Sequence, residues 1–200
     1  MKKIILASKS TDRSELINRL NIPFETLNTN INENNYKERI SEPIELVKEL
    51  AKVKVLKAKE MLVNEEKGSV VIAADTIVVL NGKIIGKAQN EAEAFKMLNT
   101  LANRSHNLIT GIAITEIGDV KVVIDYDITI VTFLDLSDAD IRDYIRIGDW
   151  KGRAGAYSSR DRASLFIKKI QGSPSNVIGL PMQKIFKILK EEFNLNLFEC

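Results

Sequence analysis

In 200 residues the chain has a single cysteine, Cys200, and a single histidine, His106. A lone cysteine excludes a disulfide framework and a cysteine-rich metal site. A lone histidine excludes a multi-histidine zinc site and makes a Ser-His-Asp triad a poor fit. An excess of one charge is also missing. The 29 Lys and Arg against 27 Asp and Glu leave a net charge of +2, too little to argue for a nucleic-acid partner. The basic residues are scattered, with nothing denser than Lys-Lys pairs. No apolar run approaches membrane-spanning length, and the N-terminus lacks the apolar core of a secretory signal. A cytoplasmic location with no membrane partner is therefore expected. No internal repeat or low-complexity linker interrupts the chain, whose length suits one large domain or two small ones.

What is present centres on Val70-Val71-Ile72-Ala73-Ala74-Asp75-Thr76-Ile77-Val78-Val79-Leu80. This stretch is apolar and β-branched almost throughout and reads as a buried strand. An unpaired carboxylate inside it would cost several kcal/mol or stay protonated, roughly as for any buried charge. Asp75 therefore calls for a metal ion, a lysine or a cluster of donors, unless it is a satisfied core residue or marks a bulge. Asn81-Gly82 is a two-residue hairpin signal, with Lys83-Ile84-Ile85-Gly86 as the return strand. Counting back from the turn, Leu80 faces Lys83, Val78 faces Ile85 and Thr76 faces Lys87. Lys87 then returns to within one ladder step of Asp75. Gly86 offers a break at which it swings across; otherwise Lys87 is a surface lysine.

Upstream, Lys3-Ile4-Ile5-Leu6 reads as a short strand. Ala7-Ser8-Lys9-Ser10-Thr11-Asp12-Arg13 leads from it into an amphipathic helix ending near Leu20. Asp12 with Glu15 resembles a capping box, and Thr11 is a rival cap. Such a turn presents free backbone N–H groups that suit a phosphate, with Lys9 and Arg13 adding charge; a plain helix cap is the other reading. Asn28 to Asn35 reads as a loop whose one acid is Glu33. A helix follows from near Glu42 to Met61, with Ser41 as cap and Pro43 in its first turn. Lys54 falls on its apolar stripe, where it either snorkels to the edge or reaches an anion.

Further on, Asn90 caps a helix to about Leu101. Two strands, His106 to Ile117 and Val120 to Phe133, flank a Gly118-Asp119 turn. Ser137 caps a short helix that Gly148 ends. The segment from Gly148 to Arg162 is rich in Gly, small residues and cations and fits no helix or strand period. Leu165-Phe166-Ile167 reads as a strand, and Pro181 leads into a last helix from Met182 to Phe193.

Four separated motifs, in order along the chain, resemble those of the Maf-like nucleoside triphosphate pyrophosphatases, relatives of the inosine triphosphate pyrophosphatases. Leu6-Ala7-Ser8-Lys9-Ser10 with Arg13 resembles that family's LASxSxxR, and Ala74-Asp75-Thr76 its ADT. Gly86-Lys87 resembles its GKP. Gly152-Arg153-Ala154-Gly155-Ala156-Tyr157 with Val177-Ile178-Gly179-Leu180-Pro181 resembles its GKAGAY and VxGLP. Leu50-Ala51-Lys52-Val53-Lys54 also resembles its LAxxK.

The resemblance implies an elongated α/β fold in a single domain over residues 1–200. A twisted mixed sheet with flanking helices would form two lobes and a central cleft. It implies hydrolysis of nucleoside triphosphates to a monophosphate and pyrophosphate with Mg²⁺ or Mn²⁺, house-cleaning of non-standard nucleotides and a link to arrest of cell division. It leaves a homodimer open. Asp75 matches the family's proton acceptor, Glu33 a second acid, and Lys54 and Lys87 two lysines of the catalytic set. Asp75 and Glu33 are the expected metal ligands. Ser8 and Arg13 match the phosphate-side loop, and Arg153 stands where a motif lysine does. Asp12, Thr76 and Arg160 match positions that set base specificity.

The chain departs from the pattern at several points. Thr11-Asp12 replaces Pro-Arg, and Ala88 replaces the proline of GKP. Ser159-Arg160-Asp161 stands where the pyrimidine-specific members have Ile-Gln-Gly. Arg160 only donates hydrogen bonds, so a broader or shifted substrate set than dTTP and UTP is expected. A non-catalytic nucleotide sensor that binds a cell-division protein, and a phosphatase removing the terminal phosphate, are the alternatives.

Overall fold

The computed structural model describes residues 2–62 and 66–199; Cys200, on which the disulfide reading rests, lies outside them. Seven strands run in chain order among the described residues. They are β1 (Ile4–Leu6), β2 (Glu25–Thr26), β3 (Val70–Leu80), β4 (Lys83–Ile85), β5 (Ser105–Glu116), β6 (Val122–Phe133) and β7 (Ile167–Gln171). The helices are α1 (Thr11–Arg19), α2 (Asn34–Lys37), α3 (Pro43–Leu62), α4 (Glu91–Leu101), α5 (Asp138–Ile147), α6 (Pro174–Ile178) and α7 (Met182–Phe193). None of them is long and apolar enough to cross a membrane.

The strands form one open mixed sheet in the order β2-β1-β3-β5-β6-β7, with β4 paired to β3. This is the α/β class that the sequence predicts. β1 runs parallel to both β2 and β3, whereas β4 on β3 and β7 on β6 are antiparallel. β1 is buried throughout and β3 everywhere but at Thr76, which is why both read as unbroken apolar runs. The end of β6 alternates instead: Thr129, Val131 and Phe133 are buried while Ile128 and Ile130 are exposed, as expected of a strand covered on one face.

The chain divides into two compact units. Met1–Asp75, Thr110–Asp127 and Gly179–Cys200 make the first, and Thr76–Ile109 with Ile128–Ile178 the second. In the first unit, Ile4, Leu6, Ile72 and Ile112 pack with Ile17 of α1 and with Ile185 and Leu189 of α7. Ile5, Val71, Ala73 and Ala113 pack with Ala51, Val55 and Ala58 of α3. α3 rests closely on β5. A Cβ on Gly111 would lie 2.2 Å from the carbonyl oxygen of Val47, so only glycine permits this approach. In the second unit, α4 and α5 cover a core that includes Leu98, Val131, Phe133, Ile141, Tyr157 and Phe166.

Several local expectations need correction. α1 is capped by Ser10, whose Oγ accepts from the Arg13 backbone N–H at 3.4 Å, not by Asp12 or Thr11. At α3 the Glu42 carboxylate, and not Ser41, accepts from the Glu45 N–H at 2.7 Å. The Asn-rich loop ends in the short helix α2, and Leu165 lies in a 3-10 turn, so β7 starts at Ile167. The caps at Asn90 and Ser137 and the left-handed Gly148 stand as predicted.

Candidate active site

The buried carboxylate of β3 has found a lysine. Lys54 Nζ donates to Asp75 Oδ1 at 2.6 Å, and the same nitrogen lies 2.8 Å from Glu33 Oε1. Lys54 does not snorkel: it retains 8% of its exposure and Asp75 7%. Its place follows from α3, whose buried face runs through Leu46, Val47, Leu50, Ala51, Lys54, Val55 and Ala58, the spacing of one helical stripe. The ammonium is therefore aimed at the sheet where β3 carries Asp75.

Glu33 immediately precedes α2, and its side chain makes no cap hydrogen bond there. Its second oxygen, Oε2, lies 3.3 Å from Lys37 Nζ, one helical turn on. Burial pushes the Glu33 carboxyl up, but Lys54 first and Lys37 second outweigh it and hold the group down at about 2. It is ionised at neutral pH.

Arg13 forms a second knot in the same unit. Its Nη1 donates to Ser8 Oγ at 3.2 Å and to the Ala74 carbonyl at 3.0 Å, and its Nε donates to the Gly179 carbonyl at 2.8 Å. Three sequence-distant motifs thus meet at one guanidinium. Burial pulls the Arg13 pKa down, opposed by the charges of Asp75 and Glu33. Asp12 lies half-buried in the first turn of α1.

The remaining predicted residues belong to the second unit. Thr76 is the one half-buried position of β3. The β3–β4 register is as expected, with Leu80 opposite Lys83 and Val78 opposite Ile85. Lys87 does not continue it opposite Thr76. The strand breaks at Gly86, whose carbonyl accepts from the Gly155 N–H at 2.9 Å, and Lys87 bridges to Ala154. The Gly86-Lys87 and Arg153-Ala154-Gly155 motifs are therefore backbone neighbours. Arg153 Nη2 lies 3.7 Å from Asp161 Oδ2. Arg160 is half-buried, and its backbone N–H donates to Ser158 Oγ at 3.4 Å.

Lys37 was not among the predicted residues; its signal is the four-residue spacing from Glu33, visible only once α2 is recognised. His106 sits in the core of the second unit, 2.8 Å from the Tyr157 hydroxyl. Burial alone takes it down to about 4. An open groove of about 710 Å³ is lined by residues of α3, by Tyr36, Arg39 and Ile40 and by Ile124 of β6. It is lined by none of the candidate residues.

Among the described residues no group of three or more His, Cys, Asp or Glu could hold a metal ion alone. Two carboxylates that converge on one ammonium do fit a hard divalent cation, because Mg²⁺ commonly takes one or two protein carboxylates and fills its remaining positions with water and substrate oxygens.

Fold and site define an α/β protein with a buried lysine shared by two carboxylates. The chain belongs to the Maf-like family: the family model described as Maf-like protein matches residues 3–192. It is 44% identical over 193 residues to a dTTP/UTP pyrophosphatase of Caldanaerobacter subterraneus subsp. tengcongensis, covering 96% of this chain and 90% of that one. It is 41% identical to a dTTP/UTP pyrophosphatase of Alkaliphilus oremlandii over 98% and 100% of the two chains. A protein of the same name from Clostridium perfringens is 39% identical over 94% and 96%.

Proposed function

We propose that the chain is a nucleoside triphosphate pyrophosphatase, which converts a nucleoside triphosphate and water to the monophosphate and pyrophosphate. The observation that carries this reading is Lys54 set between Asp75 and Glu33, in a chain whose relatives are named for that reaction.

A polyphosphate resists hydrolysis because its charge repels nucleophiles, so a site must supply cations and a base. A water oxygen forms the new bond to the α-phosphorus. The bond from that phosphorus to the bridging oxygen breaks, and its electron pair leaves with pyrophosphate. Asp75 accepts the proton of the attacking water. Lys54 and Lys87 balance charge on the phosphates, and the effect is worth most at the buried Lys54, where water is excluded, Lys87 being exposed. Ser8 and Arg13 serve the phosphate side, and Asp12, Thr76, Arg153 and Arg160 the rest of the nucleotide. Asp75 and Glu33 would hold Mg²⁺ or Mn²⁺, which supplies Lewis-acid neutralisation of phosphate charge when bound.

The relatives' name puts dTTP and UTP first among nucleotides to assay, and Ser159-Arg160-Asp161 is the departure that shifts the ranking. A cytoplasmic house-cleaning role, with a link to arrest of cell division, rests on the family resemblance; non-standard nucleotides failing to accumulate in cells without the protein would count against it. The reaction itself is tested by incubating the protein with canonical and modified triphosphates and separating the products. Monophosphate with pyrophosphate is expected. Diphosphate with inorganic phosphate, or binding without turnover, would overturn the assignment.

A further inference from the structure

His106 and Tyr157 are polar residues in an aromatic core, 2% and 5% exposed. The imidazole meets the Phe133 ring edge to face, with centroids 4.8 Å apart. Its Nε2 lies 2.8 Å from the Tyr157 hydroxyl, and its Nδ1 has no hydrogen-bond partner among the described residues. In either tautomer a buried nitrogen therefore stays unsatisfied. Replacing both partners of such a bond by apolar groups of the same shape is nearly neutral for stability, so packing alone does not call for this pair. What the bond does fix is the place of the Tyr157 ring.

That ring presses on a strained turn. A Cβ on Gly155 would lie 3.3 Å from Tyr157 Cε1 and 3.0 Å from Val78 Cγ2. Gly155 (φ +68°) and Ala156 (φ +60°) are consecutive left-handed residues, and Ala156 is fully buried. Left-handed backbone at a residue with a Cβ is strained and persists only where its surroundings over-determine it. The turn in turn holds Lys87. The Gly155 N–H donates to the Gly86 carbonyl at 2.9 Å, and Ala154 bridges to Lys87. Lys87 is exposed, so the place of its ammonium is set by the backbone at its root. All of these residues belong to the second unit.

We propose that the His106–Tyr157 hydrogen bond clamps the Gly155-Ala156 turn and thereby places Lys87, so that His106 and Tyr157 are positioning residues for that lysine. The role of Lys87 on the phosphates rests on the pyrophosphatase reading; the clamp itself is read from the backbone. Small displacements of a charged group cost rate steeply, which gives a buried histidine far from the phosphates a way to act on turnover.

The test has a structural arm and a kinetic arm. In the first, amide hydrogen exchange at Gly155 is followed by NMR against that at Leu98 of α4, in wild type, Tyr157→Phe, His106→Leu and His106→Gln, with a thermal melt of each. Tyr157→Phe and His106→Leu are expected to speed exchange at Gly155 about tenfold or more beyond any change at Leu98. His106→Gln is expected within about threefold of wild type, because its amide can still meet the hydroxyl. Unchanged exchange at Gly155, or equal acceleration at both amides, would mean that the pair only stabilises the core and would overturn the proposal. In the second arm, kcat/KM is measured well below each melting transition. Tyr157→Phe should lose about tenfold, but less than about twofold in a Lys87→Met background, because it acts through Lys87. Losses that multiply in the double variant would also overturn the proposal. Should His106→Leu not fold, Tyr157→Phe, which keeps the shape of the ring, decides alone. A wild type that releases pyrophosphate from no triphosphate fails the pyrophosphatase reading, and the exchange arm then decides the clamp by itself.

Discussion

Lys54 Nζ and Asp75 Oδ1 lie 2.6 Å apart, an ammonium and a carboxylate on side chains that are each about nine-tenths buried. Neither tolerates this burial alone, because an uncompensated interior charge costs about 3–5 kcal/mol when its partner is removed. The pair lets β3 carry a carboxylate in an otherwise apolar strand, and it sets the first expectation.

Asp75→Asn should lower turnover by about 10²–10⁴-fold, the range of a lost general base. The amide keeps the shape and can still accept from Lys54, which also retains Glu33, so the melting temperature should change little. Lys54→Met should behave differently and destabilise the fold, because it strands two carboxylates. Turnover of Asp75→Asn within about tenfold of wild type, at an unchanged melting temperature, would remove Asp75 from the chemistry.

Metal dependence is the second expectation. Oxygen donors without a usable His or Cys set point to Mg²⁺ or Mn²⁺. Dialysis against EDTA should stop hydrolysis, and either ion should restore it. Full activity in EDTA would contradict the role given to Asp75 and Glu33.

Arg160 governs the third. Arginine offers only donors where a glutamine offers both donors and an acceptor. Wild type should therefore rank nucleotides differently from Arg160→Gln, which should move the preference toward dTTP and UTP. The comparison is kcat/KM for each nucleotide in both proteins. An unchanged ranking, with dTTP and UTP already strongly preferred, would show that Arg160 does not read the base.

The legibility of these features differs with the range of the interactions behind them. β3, α3, the Asn81-Gly82 turn and the caps at Asn90 and Ser137 were readable because periodicity and capping are local. That Asp75 required a partner was also readable, from the cost of burying it. Which partner it has was not: Lys54 is 21 positions away, and a helical stripe alone does not distinguish a lysine that snorkels to the edge from one that points at the sheet. α2 was hidden because four residues give too little periodicity. Lys87 was misplaced because pairing with Ala154, a long-range contact, replaced the continuation of a local ladder.

Gly111 supplies a fourth expectation. Gly111→Ala would set a methyl 2.2 Å from the Val47 carbonyl oxygen, so α3 must move. Overpacking of this kind costs about 1–3 kcal/mol. Because α3 carries Lys54, turnover should also fall at temperatures well below the melting transition. A variant with wild-type melting and wild-type kcat would show that the contact relaxes freely.

Acid stability gives the fifth. His106 is held at about 4 against an ordinary 6.5, so the unfolded chain binds the extra proton first. Stability is complete above pH 6.5, declines as the pH falls toward 4 and has then lost about 3 kcal/mol at most. Glu33, at about 2 against 4.5, adds a loss of the same sign between 4.5 and 2, reduced by its partial exposure. The urea midpoint should follow both windows, and His106→Gln should flatten the upper one. An unaltered profile in that variant would sink the histidine part.

The burial of His106 has a further consequence for how the protein meets its surroundings. Histidine is the side chain whose charge ordinarily switches between pH 5 and 8, and this chain has a single one. Packed between Phe133 and Tyr157, it stays neutral through that interval. Acidification of the medium within that interval lowers stability, because the unfolded chain's imidazole gains the proton, but through this histidine it adds no charge to the folded protein. A change in hydrolysis rate near neutrality would have to be carried by groups other than this histidine. The folded protein is in this sense insulated, its own histidine left uncharged across that interval.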